Sequence, residues 1–322
     1  MPRSSLALGA SRQMGRSANP AWPFVALALV ALLSAPCGAQ DRYFDAGGVR
    51  LRYTDQGAGE PIVLVHGFSN RLELWTTVGI VQDLARDHRV ITFDLRGHGR
   101  SDKPHAPARY GREMTLDIVR LLDHLGIARA HIVGYSLGGH LTSQLLTLHP
   151  ERFLSATLLA GAGRFDWDSV KVRQADTVAT ELEHDCISRS LIRRLAAPSA
   201  QPPEDTLRSL SARCLADTAQ DRFALAAATR SWTGQAFTPA AAAAVTVPTL
   251  ALVGSDDPQR RGLEALVTLR PSVKLVIIDG ATHAGARGIL ARPETLVALR
   301  DFFLSAGRSP RRVPPSAPPR RP

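Results

Sequence analysis

Short apolar runs punctuate this chain at regular intervals. Pro61-Ile62-Val63-Leu64-Val65 is one, and Arg89-Val90-Ile91-Thr92-Phe93 is a second. The same character returns at His131-Ile132-Val133, Ala156-Thr157-Leu158-Leu159, Thr249-Leu250-Ala251-Leu252-Val253 and Lys274-Leu275-Val276-Ile277-Ile278. Continuous apolar runs of this length fit strands buried on both faces of a parallel sheet. Before them, residues 43–55 alternate about a Gly47-Gly48 turn, the mark of a hairpin. Between the runs the spacing turns helical: Leu116, Val119, Leu122 and Leu125 mark one helix, and Leu137, Leu141, Leu145 and Leu148 another. Strand–helix alternation predicts an α/β fold, a mostly parallel sheet with helices on both faces.

The rhythm breaks over residues 164–240. That stretch has no strong strand run, is rich in Ala, Leu, Arg and Glu, and holds a breaker cluster at 198–203. It reads as a small helical cap inserted into a core made of residues 40–163 and 241–306. Trp167 and Trp232 fall in it, as cap core or as pocket lining. Residues 307–322, with six prolines and five arginines, read as a disordered basic tail.

Composition changes this picture at the ends of the chain. The net charge is +10, but three arginines lie in residues 1–39 and five in the tail, with no acid in either. The body is therefore nearly neutral. No basic motif interleaved with aromatics is present, so a nucleic-acid partner is not expected. Residues 1–39 read as a signal peptide: a basic stretch, an apolar run at 22–33, then small residues up to Ala39. The run is short for a bilayer span, which needs about 20 apolar residues. Cleavage after Ala39 would start the mature chain at Gln40, periplasmic or secreted and without stable membrane insertion. Met14 offers a second start, and an uncleaved anchor is the rival reading. Cleavage would remove Cys37 and leave Cys186 and Cys214, a disulfide in an oxidising compartment or two free thiols.

The candidate chemistry lies where predicted strands end. Gly134-Tyr135-Ser136-Leu137-Gly138 follows one strand and opens a helix, the setting a nucleophile elbow requires. Its glycines permit a sharp turn that lifts Ser136 above the sheet. A serine hydroxyl needs a base. His283, the one histidine beyond residue 240, sits just past the last strand run. The imidazole needs an orienting acid, and Asp256 and Asp257 both follow the strand at 249–253. An oxyanion needs two backbone donors. Leu137 N–H is one, and Phe68 N–H, in Val65-His66-Gly67-Phe68, is the natural second. His66 reads as a structural loop histidine.

Taken together, His66-Gly67-Phe68, the segment Asp94-Leu95-Arg96-Gly97-His98-Gly99-Arg100-Ser101-Asp102, Gly134-Tyr135-Ser136-Leu137-Gly138-Gly139, Gly254-Ser255-Asp256-Asp257 and Thr282-His283 resemble the α/β-hydrolase superfamily. The resemblance covers residues 43–163 and 241–306. It implies the α/β-hydrolase fold, with Ser136 as nucleophile, Asp257 rather than Asp256 as the acid, His283 as base, and Phe68 and Leu137 as oxyanion donors. The 94–102 segment resembles a structural loop of the family. An aspartate nucleophile, as in the dehalogenases and epoxide hydrolases of this fold, is excluded by Ser136. The Gly-Gly-Ser-Trp-Gly elbow of typical proline iminopeptidases is absent. The implied activity is cleavage of a small ester-like substrate through an acyl-enzyme, needing no metal or organic cofactor. Carbon–carbon bond or lactone hydrolysis is the alternative within the class, and a triad-retaining binding or signalling protein the alternative outside it. One departure from the family stands out: Gln259-Arg260-Arg261 follows Asp257-Pro258. It suggests a basic pocket mouth and an acidic substrate, or else two solvated arginines.

Overall fold

The computed structural model describes residues 40–165 and 167–306. The expected signal peptide and basic tail lie outside the described residues. One sheet of eight strands organises the chain: β1 (Arg42–Asp45), β2 (Arg50–Gln56), β3 (Glu60–Val65), β4 (His88–Phe93), β5 (Ala130–Tyr135), β6 (Phe153–Leu159), β7 (Thr249–Gly254) and β8 (Lys274–Ile278). Their spatial order is β1-β2-β4-β3-β5-β6-β7-β8. The first two form the hairpin, pairing Arg42 with Tyr53, and β2 runs antiparallel to β4. All other neighbours are parallel. This is the α/β architecture that the apolar runs predict.

Why the runs are continuous is visible in β3. Successive strand side chains point to opposite faces. Ile62 and Leu64 pack with Trp75, Ile80, Leu84, Leu299 and Phe303. Val63 and Val65 pack on the other face with Met114, Ile118, Leu121, Leu141 and Leu145. A strand covered on both faces therefore needs apolar side chains at successive positions, as Ile62 to Val65 show, each burial contributing roughly 1.5–3 kcal/mol. The helices Arg112–His124 and Leu137–Leu148 supply the second face, and Pro293–Ala306 helps cover the first.

Between β6 and β7 the described chain forms five α-helices, Ser169–Asp185, Arg189–Leu195, Glu204–Ala216, Arg222–Arg230 and Pro239–Ala243, and no strand of the sheet. Asp168, Ser188 and Asp221 each cap the helix that follows them, through side-chain oxygens accepting backbone N–H groups. Ala175, Val178, Ala179 and Leu182 meet Leu225, Ala226 and Trp232 in a small separate core. The two ends of the segment pair at Arg164 and Ala236. Cys186 and Cys214 are joined as a disulfide, tying the end of the first of these helices to the third.

The 94–102 loop is held internally. Asp94 is fully buried and accepts the N–H groups of Leu72 at 2.7 Å and Arg100 at 2.8 Å. Arg96 makes a two-pronged pair with buried Asp117, at 2.6 and 2.5 Å.

Candidate active site

Ser136 sits on the turn between β5 and the helix Leu137–Leu148, with φ 52° and ψ −110°. A side chain at positive φ is strained, and its surroundings fix it there. Its N–H donates to the Leu159 carbonyl at 2.8 Å. The turn passes so close to its neighbours that a Cβ on Gly134 would lie 2.2 Å from the Gly138 carbonyl oxygen, and one on Gly138 the same distance from that of Val65. The helix beginning at Leu137 aims its N-terminal end, with unpaired N–H groups and positive dipole end, at the serine.

His283 comes from the loop after β8. Its Nε2 is 3.0 Å from Ser136 Oγ. Its Nδ1 lies 3.1 and 3.0 Å from the two carboxylate oxygens of Asp257, a residue on the loop after β7. The carboxylate is wholly buried and the imidazole nearly so. Asp257 also accepts the Gln259 N–H at 2.8 Å. Asp256 points elsewhere: it is partly exposed, beside Ser255 and 3.8 Å from Arg287. The three strand ends thus bring together Ser136, His283 and Asp257, and leave Asp256 out.

The Phe68 N–H is placed by its own peptide unit. His66 is fully buried, and burial pushes its pKa down to about 4, so the ring is neutral. Its Nε2 accepts the Leu95 N–H at 3.1 Å, which leaves Nδ1–H to donate to the Gly67 carbonyl at 2.8 Å. Asn70 N–H donates to that same carbonyl. Because the peptide is planar and trans, fixing the Gly67 C=O fixes the Phe68 N–H on the opposite side. The loop runs against the nucleophile: a Cβ on Gly67 would lie 3.3 Å from Ser136 Cβ. Phe68 and Leu137 both border the space beside Ser136. Neither N–H has a hydrogen-bond partner among the described residues.

Two residues of the site carry no signal of their own in the sequence. Tyr135 donates its hydroxyl to the His283 carbonyl at 2.8 Å, and the two rings stack at 5.6 Å. His140, one turn past the nucleophile, accepts the Gly163 N–H at Nδ1. Burial, then the charge of Arg164, holds its pKa well below the usual histidine value.

An apolar chamber of about 520 Å³ opens over Ser136 and His283, walled by Phe68, Leu182, Leu191 and Leu210 among others. Trp232 is buried within the core of the inserted segment, yet its ring meets Phe68 edge-on at 5.7 Å and borders the space beside Ser136. It is both core and lining. The arginines after Asp257 do not face the nucleophile. Arg260 pairs with Glu264 at 2.7 Å, and both it and Arg261 border a separate groove with Asp256 and Glu264. Of the Gln259-Arg260-Arg261 segment expected to form a basic mouth, the two arginines therefore line a mixed-charge surface groove, while Gln259 borders the space beside Ser136. Among the described residues, no group of three or more His, Cys, Asp or Glu side chains is placed to hold a metal ion.

A family model described as the alpha/beta hydrolase fold matches residues 60–286. The chain belongs to the alpha/beta hydrolase family. Over 121 residues it is 40% identical to a dihydrolipoyllysine-residue acetyltransferase component of an acetoin cleaving system from Pseudomonas putida, covering 37% of this chain and 32% of that protein. Over 120 residues it is 38% identical to a 2-hydroxymuconate semialdehyde hydrolase from Pseudomonas sp. strain CF600, covering 37% of this chain and 42% of that one. The matches thus span a third to under half of these relatives. Among solved structures, a thermophilic esterase from Thermogutta terrifontis superposes with a TM-score of 0.67 at 24% identity, over 83% of this chain and 99% of that one. At that identity the likeness speaks to the fold.

Proposed function

We propose that this alpha/beta hydrolase is a serine hydrolase that cleaves a carboxylic ester through an acyl-enzyme. The observation that carries the reading is the unbroken line from the Asp257 carboxylate through both nitrogens of His283 to Ser136 Oγ. Asp257 holds the tautomer with the proton on Nδ1, so Nε2 is free to accept the serine proton. Ser136 Oγ then attacks the carbonyl carbon. The negative charge that develops on the carbonyl oxygen is met by the Phe68 and Leu137 N–H groups; losing one such donor typically costs about 10²–10³ in rate. His283 returns its proton to the departing alkoxide. Water, deprotonated by the same nitrogen, opens the acyl-enzyme and restores Ser136.

Hydrolysis of a carbon–carbon bond is the second reading, favoured by the likeness to the 2-hydroxymuconate semialdehyde hydrolase. An exported location is part of the proposal. The disulfide between Cys186 and Cys214 supports it, since such bonds persist in oxidising compartments.

The test is hydrolysis of a 4-nitrophenyl ester series, acetate to palmitate, by the protein from Gln40 and by Ser136→Ala. Turnover in the first and none in the second supports the reading. Equal turnover in both removes Ser136 from its role. No turnover by folded wild type removes the general esterase, and leaves the carbon–carbon hydrolase or a binding protein.

A further inference from the structure

Ser136 borders two spaces, not one. On one side is the apolar chamber. On the other is a small chamber of about 60 Å³ bordered by Phe68, Leu137, His140, Arg164 and Arg194. It shares Arg164, Arg194, His140 and Trp232 with an outer cleft of about 380 Å³. Among the described residues, no acidic side chain borders either space.

Arg164 stands just beyond the carboxyl end of β6. Its Nε donates to Gln235 Oε1 at 3.1 Å, and its guanidinium carbon lies 4.2 Å from the centroid of the Trp232 ring. Stacking on an aromatic face leaves the remaining guanidinium N–H groups aimed outward in the ring plane. Among the described residues Arg164 has no carboxylate partner, and neither has Arg194. Two buried arginines contrast with this: Arg96 is paired with Asp117, and Arg52 with Asp41, Glu73 and Asp94; buried Arg270, which also has no carboxylate partner among the described residues, instead donates to the Val247 carbonyl. Glu181, whose charge reaches Arg194, is already committed to Ser188 and Ser190. An unpaired, partly desolvated cation is costly; burial and the charge of Arg194 push the Arg164 pKa down to about 9. His140 adds a donor. Its Nδ1 is occupied as an acceptor and the ring is neutral, so the proton sits on Nε2. The space beside the nucleophile thus offers N–H donors and two positive charges, with no anion among the described residues to meet them.

We propose that Arg164, with Arg194 and His140 beside it, is a subsite for the carboxylate of an anionic substrate. The bond cleaved at Ser136 then joins a short acid-bearing arm to an apolar body lodged in the 520 Å³ chamber. A guanidinium meets a carboxylate through two parallel N–H bonds, which fixes the arm's orientation as well as its charge. The inference rests on the serine-hydrolase reading for the bond cleaved, but the subsite itself is tested without turnover.

Binding of glutarate to Ser136→Ala protein, followed by tryptophan fluorescence and calorimetry with neutral glutaramide as control, is the decisive experiment. The expected result is saturable binding of glutarate and not of the diamide. Adding Arg164→Gln should weaken it at least tenfold, and Arg164→Lys should restore part of the loss. Arg194→Ala, at a more exposed position, provides a second variant with less risk to folding and should weaken binding severalfold. Binding unchanged by Arg164→Gln, or no saturable glutarate binding, overturns the subsite. Where ester turnover is present, mono-4-nitrophenyl glutarate is compared with 4-nitrophenyl pentanoate. Wild type should favour the glutarate at least tenfold in kcat/KM, and the ratio should collapse in Arg164→Gln; a ratio unaffected by that change overturns the proposal. Failure of every ester, with glutarate binding intact, sinks the esterase reading alone.

Discussion

The hydroxyl of Tyr135 donates a 2.8 Å hydrogen bond to the backbone carbonyl of His283. The residue before the nucleophile therefore holds the main chain of the base, across 148 positions of sequence. Burial of both partners makes the bond worth about 1 kcal/mol. The loop it restrains carries Gly285, at φ 82°, two residues past the histidine. Removing the hydroxyl in Tyr135→Phe should loosen His283 and lower kcat about fivefold to tenfold, with KM and the thermal midpoint little changed. A kcat equal to wild type would mean that the loop holds His283 without this bond.

Asp257 and Asp256 are adjacent in sequence and opposite in surroundings. The first is buried against His283 Nδ1; the second is partly exposed near Arg287. Asp257→Asn would leave the ring in place but favour the wrong tautomer, a change that costs about 10⁴ in kcat in a well-studied triad. Asp256→Asn should cost less than about threefold, because it removes only a screened surface charge. Steady-state rates of both variants on one 4-nitrophenyl ester decide the matter. Equal losses would refute the assignment.

The contrast between these two residues marks how far the sequence could be read. The parallel strands were legible because each needs apolar side chains on both faces, as Val63 and Ile62 show. The positions of Ser136 and His283 were legible because each lies just past such a strand. Sequence spacing left Asp256 and Asp257 equivalent, and only the resemblance separated them; the direction of each carboxylate is a property of the turn. The helix Arg260–Leu269 buries only Leu263 and Leu266, too brief a repeat to mark it. Arg260 and Arg261 looked like a pocket mouth by proximity to Asp257, yet this helix carries them into another groove. Arg164, which borders the space beside the nucleophile together with Arg194, lies more than ninety positions earlier. Its place depends on the pairing of Arg164 with Ala236, a long-range contact with no local pattern.

The disulfide ties the wall of the apolar chamber together. Cys186 and Cys214 both border it, and 28 positions separate them. Closing a loop of that length stabilises a fold by about 3 kcal/mol, through the entropy of the unfolded chain. Cys214→Ser, or reduction of the wild type, should lower the thermal midpoint by several degrees. It should also raise KM for long-chain esters more than for acetate, because the long chains fill the chamber. A midpoint indifferent to reductant, with one free thiol per cysteine by mass labelling, would show that the bond does not form.

Several histidines are buried uncharged, and this sets the direction of the pH response. Burial pushes His66 down to about 4 and His98 to about 3, and it lowers His131 as well. In the unfolded chain each titrates near 6.5. Below that pH the unfolded state binds protons that the folded state refuses, so stability falls as pH falls. The contribution of His66 is complete above pH 6.5 and is lost between there and about 4, at up to about 1.4 kcal/mol per pH unit. Carboxylates held low by arginine, such as Asp83 beside Arg300, act later, as pH falls below the usual carboxylate value of 3.8. Urea unfolding at pH 7.5, 6.5, 5 and 3 separates the two windows. The free energy of unfolding should be level down to about pH 6.5 and then drop steeply by pH 5. A level profile to pH 5 would mean that these rings are protonated in the native state, and the His66 bond that fixes the Gly67–Phe68 peptide would need a different proton arrangement.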